Sequence, residues 1–317
     1  MLTSRAERAL AQPLRGCDFL RVADASAEDL QGLLDLAEAF KAGRSNAPQP
    51  LGGKAVGLLF REPSTRTRVS FEVAVHELGG YTVCLAPDEL QLARGESLRD
   101  TALVLSRYLT ALVVRTLAHA EIEAIARHAS IPVINALSER AHPCQALADL
   151  LTIRERLRRL EGVRLAYVGA GTNVCASLLV AAAKLGLHAV AACPTGYAPA
   201  ATALEAAEAA AAESGGTVEL ATEPRQAVAG ADVVYTDVWT SMGQEAERQR
   251  RREALRGYRV DEELLEHAPN AIVMHCLPAH HGEEVAEGLL YTARSAVWDQ
   301  AENRLHTQKA LLALLVG

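Results

Sequence analysis

Short apolar runs alternate with helical patterns along almost the whole chain, and that alternation leaves few architectures open. The strand-like runs lie at 55–60, 82–85, 111–114, 132–135, 164–168, 189–192, 233–236 and 271–274. Most are continuous rather than alternating, as strands covered on both faces are. Between them run helical stretches such as 69–78, 97–108, 145–160 and 174–185. A repeated β–α order requires crossover connections, hence parallel sheets flanked by helices. The fold class is therefore α/β. With 317 residues, half of them hydrophobic, the chain suits two such domains better than one core. The runs split into two sets of four or five strands, and the long helical pattern 145–160 is a plausible interdomain helix. The expected domains are 1–140 and 141–300, with the final helix, near 301–315, able to pack on either half.

Composition narrows the function. The formal charge of −7 gives no global attraction to nucleic acid, although a local basic patch still suits a small anionic substrate. Cys17, Cys84, Cys144, Cys175, Cys193 and Cys276 are scattered with no C-x-x-C pair, so neither a zinc site nor a disulfide framework is indicated. A reducing cytoplasm is the expected location. No apolar run approaches the ~18 residues that span a bilayer.

The segment Arg61-Glu62-Pro63-Ser64-Thr65-Arg66-Thr67-Arg68 lies where the strand 55–60 turns into a helix. Free N–H groups and the positive end of a helix dipole attract phosphate there, and Arg66 and Arg68 add charge-assisted bonds. An exposed basic turn is the plainer reading, but the strand–turn–helix context favours phosphate. No Gly-x-x-x-x-Gly-Lys loop is present. Arg115 ends a strand and is suited to an anion contact or a buried ion pair. His142-Pro143-Cys144-Gln145 opens a helix, with Pro143 in its first turn. His142 and Gln145, three apart, can face one ligand and suit a carbonyl and an NH2 group. Gly169-Ala170-Gly171-Thr172-Asn173-Val174 follows a strand, yet Val174 replaces the third glycine of a dinucleotide fingerprint and no acid follows the next strand. It reads as a tight turn presenting Asn173. Asp237, at a strand's end before Ser241-Met242-Gly243, can pair with an ammonium while Ser241 and nearby N–H groups take a carboxylate. Cys276 has two readings, a nucleophile or a thiol lining a pocket, and no arrangement for covalent catalysis is evident. The arginine-rich run 248–252 reads as a solvated helix face.

Taken in order, these blocks resemble the ornithine carbamoyltransferases of the aspartate/ornithine transcarbamylase superfamily, over nearly the whole chain. The matching residues are Ser64 to Arg68, Gln91 with Arg94-Gly95-Glu96, Val114-Arg115-Thr116, His142 to Gln145, Asn173, Asp237 with Ser241-Met242-Gly243, His275-Cys276-Leu277-Pro278, and Asp299 to Arg304. The resemblance implies the two-domain transcarbamylase fold, with the last helix, 301–317, returning to the first domain. It implies transfer of the carbamoyl group of carbamoyl phosphate to the δ-amine of L-ornithine, giving L-citrulline and phosphate, in arginine metabolism and without metal or organic cofactor. Its catalytic set here is Arg115, His142, Gln145, Asp237, Cys276 and Arg304. Carbamoyl phosphate would be held by Ser64, Thr65, Arg66, Thr67, Arg115, His142, Pro143, Cys144, Gln145, Cys276, Leu277 and Arg304, with Gln91 reaching a neighbouring subunit's site. Ornithine would be held by Asn173, Asp237, Ser241 and Met242. A homotrimer or assembly of trimers with shared sites is implied, and neither nucleic acid nor membrane is a partner.

Some residues depart from that pattern. Glu62 stands where the ornithine enzymes more often carry Lys, and a Glu-Pro-Ser-Thr-Arg-Thr run is more usual in the aspartate carbamoyltransferases. An aspartate acceptor needs an added cation, whereas Ala279 follows Leu277-Pro278 here and Asp237 would repel a dianion. Ala170, Thr172 and Ala176 also differ from the commoner residues. A non-catalytic sensor would have lost part of the catalytic set, and none of it is missing.

Overall fold

The computed structural model describes residues 14–43, 49–88, 90–241 and 243–317. Its strands are β1 (Ala55–Phe60), β2 (Tyr81–Leu85), β3 (Ala111–Arg115), β4 (Val133–Leu137), β5 (Arg164–Val168), β6 (His188–Ala192), β7 (Thr217–Ala221), β8 (Val233–Thr236) and β9 (Ile272–His275). The α-helices are α1 (Ala27–Lys41), α2 (Thr65–Glu77), α3 (Leu98–Leu105), α4 (His119–His128), α5 (Pro143–Leu157), α6 (Asn173–Lys184), α7 (Ala201–Ser214), α8 (Pro224–Val228), α9 (Arg248–Leu255), α10 (Glu262–Leu265) and α11 (Val297–Val316). All eight expected strands are present. β7 is an addition, and it follows from its place in the sheet. It is an edge strand, largely exposed, so Thr217-Val218-Glu219-Leu220-Ala221 mixes polar with apolar residues instead of forming an apolar run.

The chain divides into two compact units. One ends at Leu151 and regains Glu302–Gly317, and the other is Thr152–Ala301. The division expected at 140/141 falls instead within α5, because the opening turns of that helix are buried in the first unit. The final helix rejoins the first unit, as the resemblance implied.

The first unit holds a four-stranded parallel sheet in the order β2-β1-β3-β4. β3 and β4 are buried throughout and β1 is buried up to its last residue, which explains their continuous apolar sequences. Leu59, Leu112, Val114, Ile122, Ile125 and Val133 pack into one apolar cluster between this sheet and its helices. Local chemistry fixes the helix starts. Ser26 and Asp29 cap α1 reciprocally, and Ser97 accepts a 3.0 Å bond from Asp100 N at the start of α3. α3 is shorter than the stretch 97–108 expected of it.

The second unit holds a five-stranded parallel sheet in the order β7-β6-β5-β8-β9. Ala166, Val168, Val234, Val273, Leu265 and Leu290 belong to its main cluster. Among the described residues, no helix is long and apolar enough to cross a membrane.

Candidate active site

Strand order decides where each sheet can bind a ligand. In the first unit β1 lies between β2 and β3, so the connections leaving β1 and β3 part in opposite directions and open a crevice beyond the strands' carboxyl ends. Ser64 to Arg68 follow β1 there, and Arg115 is the last residue of β3. Arg61 N donates to Arg115 O over 2.8 Å, joining the two strand ends.

Ser64 is the N-cap of α2 in extended conformation, yet its side chain caps no amide, and the first turn holds no acid. The helix start is thus left positive. Thr67 is buried and Arg66 half-buried beside it, whereas Arg68 is exposed. Arg68 departs from expectation: its Nε donates to Glu72 Oε1 over 2.9 Å, the ordinary i,i+4 pairing on a helix face, and its Nη2 donates to Cys84 Sγ. Opposite charge one turn away draws it from the helix start.

His142 precedes α5 in a tight turn. Ser138 N donates to Ala141 O over 2.9 Å, Ala141 N donates to Ser138 Oγ, and His142 O accepts from Gln145 N. Pro143, at the first helical position, needs no N–H partner. Arg304, on α11, reaches the same place. Its Nη1 donates to Gln145 Oε1 over 2.6 Å and its Nη2 to Thr67 Oγ1 over 2.8 Å, while Gln145 Nε2 donates to Asp149 Oδ1 over 2.8 Å. Thr67, Gln145, Asp149 and Arg304 are all buried. Burial first, then the charges of Arg304, Arg115 and Arg66, hold the His142 imidazole well below its ordinary pKa. Three guanidiniums therefore act on one buried, neutral histidine.

In the second unit β5 lies between β6 and β8, so the matching crevice opens after β5 and β8. Gly171 after β5 must be glycine, since a Cβ there would lie 2.1 Å from Pro199 N. Thr172 then caps α6, whose first residue is Asn173. The buried Asp237 follows β8 and gathers three donors. Thr172 Oγ1 lies at 2.9 Å from its Oδ2, and Val238 N (2.8 Å) and Cys276 Sγ (2.9 Å) lie at its Oδ1. Tyr167 donates its hydroxyl to Ala170 O over 2.7 Å, and burial, then the Asp237 charge, push its phenol well above the usual range.

Cys276 follows β9. His275 before it is fully buried, and its Nδ1 accepts from Leu277 N over 2.8 Å. The ring proton must then sit on Nε2, facing Glu284 Oε1 at 3.3 Å. That bond fixes Leu277 at φ +57°, a left-handed conformation costing an L-residue on the order of 1 kcal/mol. Gln300 Oε1 accepts from His275 N, and Gln300 Nε2 donates to Tyr235 Oη. Burial pushes the Glu284 carboxyl up, but the bonds from His275 and His280 N hold it below its usual range.

Thr67, Arg66, Arg115, His142, Gln145 and Arg304 are thus brought together in the first unit, and Asn173, Asp237, Cys276 and Leu277 form the group in the second. The Cys144 thiol turns into the core. It is fully buried, its Sγ donates to Asn135 O, and burial pushes its thiol up to about 12. Gln91 opens an exposed 3-10 turn, outside the network of Thr67, Gln145 and Arg304. Ser241 is half-buried and its N donates to Gln244 Oε1. Met242 lies outside the described residues.

Two supporting groups, Asp149 and Arg251, escaped the sequence reading, and Thr172 was noted there only as a departure beside Asn173. Asp149 carries no motif of its own, though one turn of helix separates it from Gln145. Arg251 belongs to the run read as solvated. It is buried, its Nε donates to Trp239 O over 2.6 Å, and its guanidinium lies 5.1 Å from the Tyr197 ring centroid. The period of α9 turns this one arginine inward. Among the described residues, His280, Glu283 and Glu284 alone bring three metal-type ligand atoms within 4.8 Å. Arg248 Nη2 already donates to Glu283 over 2.9 Å, so this cluster reads as an ion-pair network.

Comparison with known proteins also divides the chain in two, at 155–161, although the second match runs on through α11, which packs in the first unit. The carbamoyl-P binding domain of the aspartate/ornithine carbamoyltransferases matches residues 17–155, and their Asp/Orn binding domain matches 161–315. The ornithine carbamoyltransferase of Pyrococcus horikoshii is 50% identical over 307 residues, covering 96% of this chain and 97% of that protein. The anabolic ornithine carbamoyltransferase of Pyrococcus furiosus is likewise 50% identical, covering 96% and 98%. The solved structure of the ornithine carbamoyltransferase from Pyrococcus furiosus superposes with a TM-score of 0.92 at 49% identity, covering 96% of this chain and 99% of that one.

Proposed function

This chain belongs to the aspartate/ornithine carbamoyltransferase family, and from that premise we propose that it transfers the carbamoyl group of carbamoyl phosphate to the δ-amine of L-ornithine, forming L-citrulline and phosphate. The observation that carries the phosphate half is the buried His142 under the charges of Arg304, Arg115 and Arg66. The uncapped start of α2 lies in the same unit.

In this reading the phosphate sits at the amides of residues 64–67 with Ser64, Thr65 and Thr67, and Arg66 and Arg115 neutralise it. Charge that develops on the carbamoyl oxygen meets His142, as donor, and Arg304. Gln145 Oε1 has a second lone pair beyond the one Arg304 uses, and this orients the carbamoyl NH2. Pro143, Cys144 and Leu277 shape the binding segments rather than supply charge.

Asp237 receives the α-ammonium of ornithine. Asn173, Ser241 and Met242 hold the rest of the amino acid. The Cys276 thiol, donating to Asp237, orients the carboxylate and is not the nucleophile. The attacking group is the neutral δ-amine. The donors around Asp237 stabilise a single negative charge, which favours a cationic acceptor over the aspartate dianion. The anabolic designation of the Pyrococcus furiosus relative supports a role in arginine synthesis. A cytoplasmic homotrimer, or an assembly of trimers in which Gln91 serves a neighbouring subunit, completes the proposal. No metal or organic cofactor enters this reaction.

The test is citrulline formation from carbamoyl phosphate with L-ornithine, with L-aspartate, putrescine and N-acetylornithine as parallel acceptors. Turnover with ornithine alone supports the reading. Preferred turnover of another acceptor overturns the Asp237 and Ser241 assignments. Binding of carbamoyl phosphate without turnover of any acceptor overturns the catalytic one.

A further inference from the structure

Glu284 is outside both substrate groups, yet its placement in the second unit is costly. Its side chain is fully buried, and Oε2 has no hydrogen-bond partner among the described residues, facing His280 Nδ1 at 3.7 Å. A carboxylate taken out of water with one oxygen unmet does not favour the folded state, so packing alone does not account for a glutamate here. The other oxygen is fully used. Oε1 lies 3.3 Å from His275 Nε2 and accepts from His280 N, which ties both ends of the segment 275–280 to one atom. Glu284 is itself anchored. Val260 N donates to its carbonyl over 2.9 Å, Ala286 N donates to Val260 O over 2.9 Å, and Val260 and Val285 are fully buried in the core. The bonds to Oε1 hold the carboxyl below its usual range against burial, and an ionised carboxylate can only accept. The shared proton therefore stays on His275 Nε2, and Nδ1 keeps the lone pair that receives Leu277 N over 2.8 Å. Leu277 stands at φ +57°, a conformation that persists in a leucine only where its surroundings impose it. Between His275 and Leu277 lies Cys276, whose thiol donates to Asp237 Oδ1 over 2.9 Å.

We propose that Glu284 is a positioning residue for the transfer reaction: through the His275 ring it holds Leu277 N–H, and so fixes the turn that carries Cys276 to Asp237. The kinetic part of this inference rests on the carbamoyltransferase reading, whereas the order of the turn does not. Glu284 touches no reacting atom. Its influence passes through one imidazole, so what it must supply is an acceptor oxygen in the right place. Its charge is dispensable.

Two readouts on the full chain test this. The first is the rate at which iodoacetamide alkylates Cys276, mapped by peptide mass spectrometry, which needs no turnover and reports the order of the turn, since Cys276 is only partly covered. The second is kcat and KM for ornithine beside direct binding of carbamoyl phosphate. Glu284→Leu removes the acceptor and should raise the alkylation rate and lower kcat, each by about tenfold, with carbamoyl phosphate binding unchanged. Glu284→Gln keeps an acceptor oxygen and should stay close to the parent in both. His275→Asn keeps an acceptor near the place of Nδ1 but is too short to reach Glu284, so adding Glu284→Leu to it should change neither readout further. A purely structural glutamate would not give that pattern. Glu284→Ala, checked for native circular dichroism, guards against misfolding of Glu284→Leu and should shift both readouts in the same direction. Parent-like alkylation of Cys276 in Glu284→Leu and Glu284→Ala overturns the proposal. So does a full effect of Glu284→Leu on top of His275→Asn, since Glu284 would then act by another route. A parent that forms no citrulline counts against the carbamoyltransferase reading instead, and the alkylation rates then decide this inference alone.

Discussion

Thr172→Val tests the acceptor half of the site with little change of shape. The Thr172 hydroxyl has one proton and two lone pairs. It donates to Asp237 Oδ2 over 2.9 Å and accepts from Cys175 N over 3.4 Å as the cap of α6. Valine keeps the volume and removes both bonds. A hydrogen bond to a charged group contributes about 1.5–3 kcal/mol, and each ~1.4 kcal/mol is a factor of ten in an equilibrium constant. If the bond holds Asp237 in its ornithine-binding orientation, kcat/KM for ornithine falls by roughly ten- to a hundredfold, towards the lower end if water replaces the hydroxyl. The long cap bond adds only about 0.5–1 kcal/mol of lost stability. The assay is steady-state citrulline formation with ornithine varied at saturating carbamoyl phosphate, alongside direct binding of carbamoyl phosphate. Binding of carbamoyl phosphate should be unchanged, and Thr172→Ser should restore most of the activity. A Thr172→Val enzyme within twofold of the parent on ornithine, folded and stable, would refute the reasoning that Asp237 depends on this donor.

Other outcomes follow from the same geometry. The His142 imidazole is held well below its unfolded value near 6.5, so the unfolded chain takes up a proton that the native state refuses, and the stability this contributes is intact above about pH 6.5 and lost as pH falls below it. His142→Asn should therefore lose less stability than the parent between pH 8 and 5 in urea titrations. His119 and His306, shifted the same way chiefly by burial, keep the remaining slope. Equal losses in both proteins would contradict the burial argument. Because the attacking amine must be neutral and an alkylammonium titrates near pH 10, kcat/KM for ornithine should rise towards alkaline pH, and a flat profile between roughly pH 6 and 9 would count against the mechanism. Arg251→Met removes the 2.6 Å bond to Trp239 O and should raise the ornithine KM by about tenfold, leaving carbamoyl phosphate binding intact, whereas the same change at exposed Arg250 should do neither.

The inner strands were legible because a parallel sheet covered on both faces admits only apolar runs, and the runs 55–60 and 233–236 coincide with β1 and β8. The sequence hid β7 for the converse reason, since an edge strand needs no such run. The strand–helix turn at Ser64 to Arg68 was legible from the apolar run before it and the helical pattern after it. The side-chain arrangement there was not. That Arg68 turns away from the helix start depends on the helix phase and on Glu72, which holds its Nε. Arg251 shows the same limit, for five consecutive polar residues on α9 give no hint that one of them is buried. Thr172 appeared in sequence only as a departure from a pattern, and its contact with Asp237 spans 65 positions that no local signal bridges.

The return of α11 to the first unit also sets an order of events in synthesis. Arg304 bonds to Thr67 across 237 positions, and all of Thr152–Ala301 must leave the ribosome between the first unit's main body and the helix that supplies this arginine. At ~5–20 residues per second that interval is on the order of ten seconds. During it the first unit lacks the helix that carries Arg304. A chain cut short before α11 would lack Arg304 altogether, and with it the bonds that tie Thr67 to Gln145.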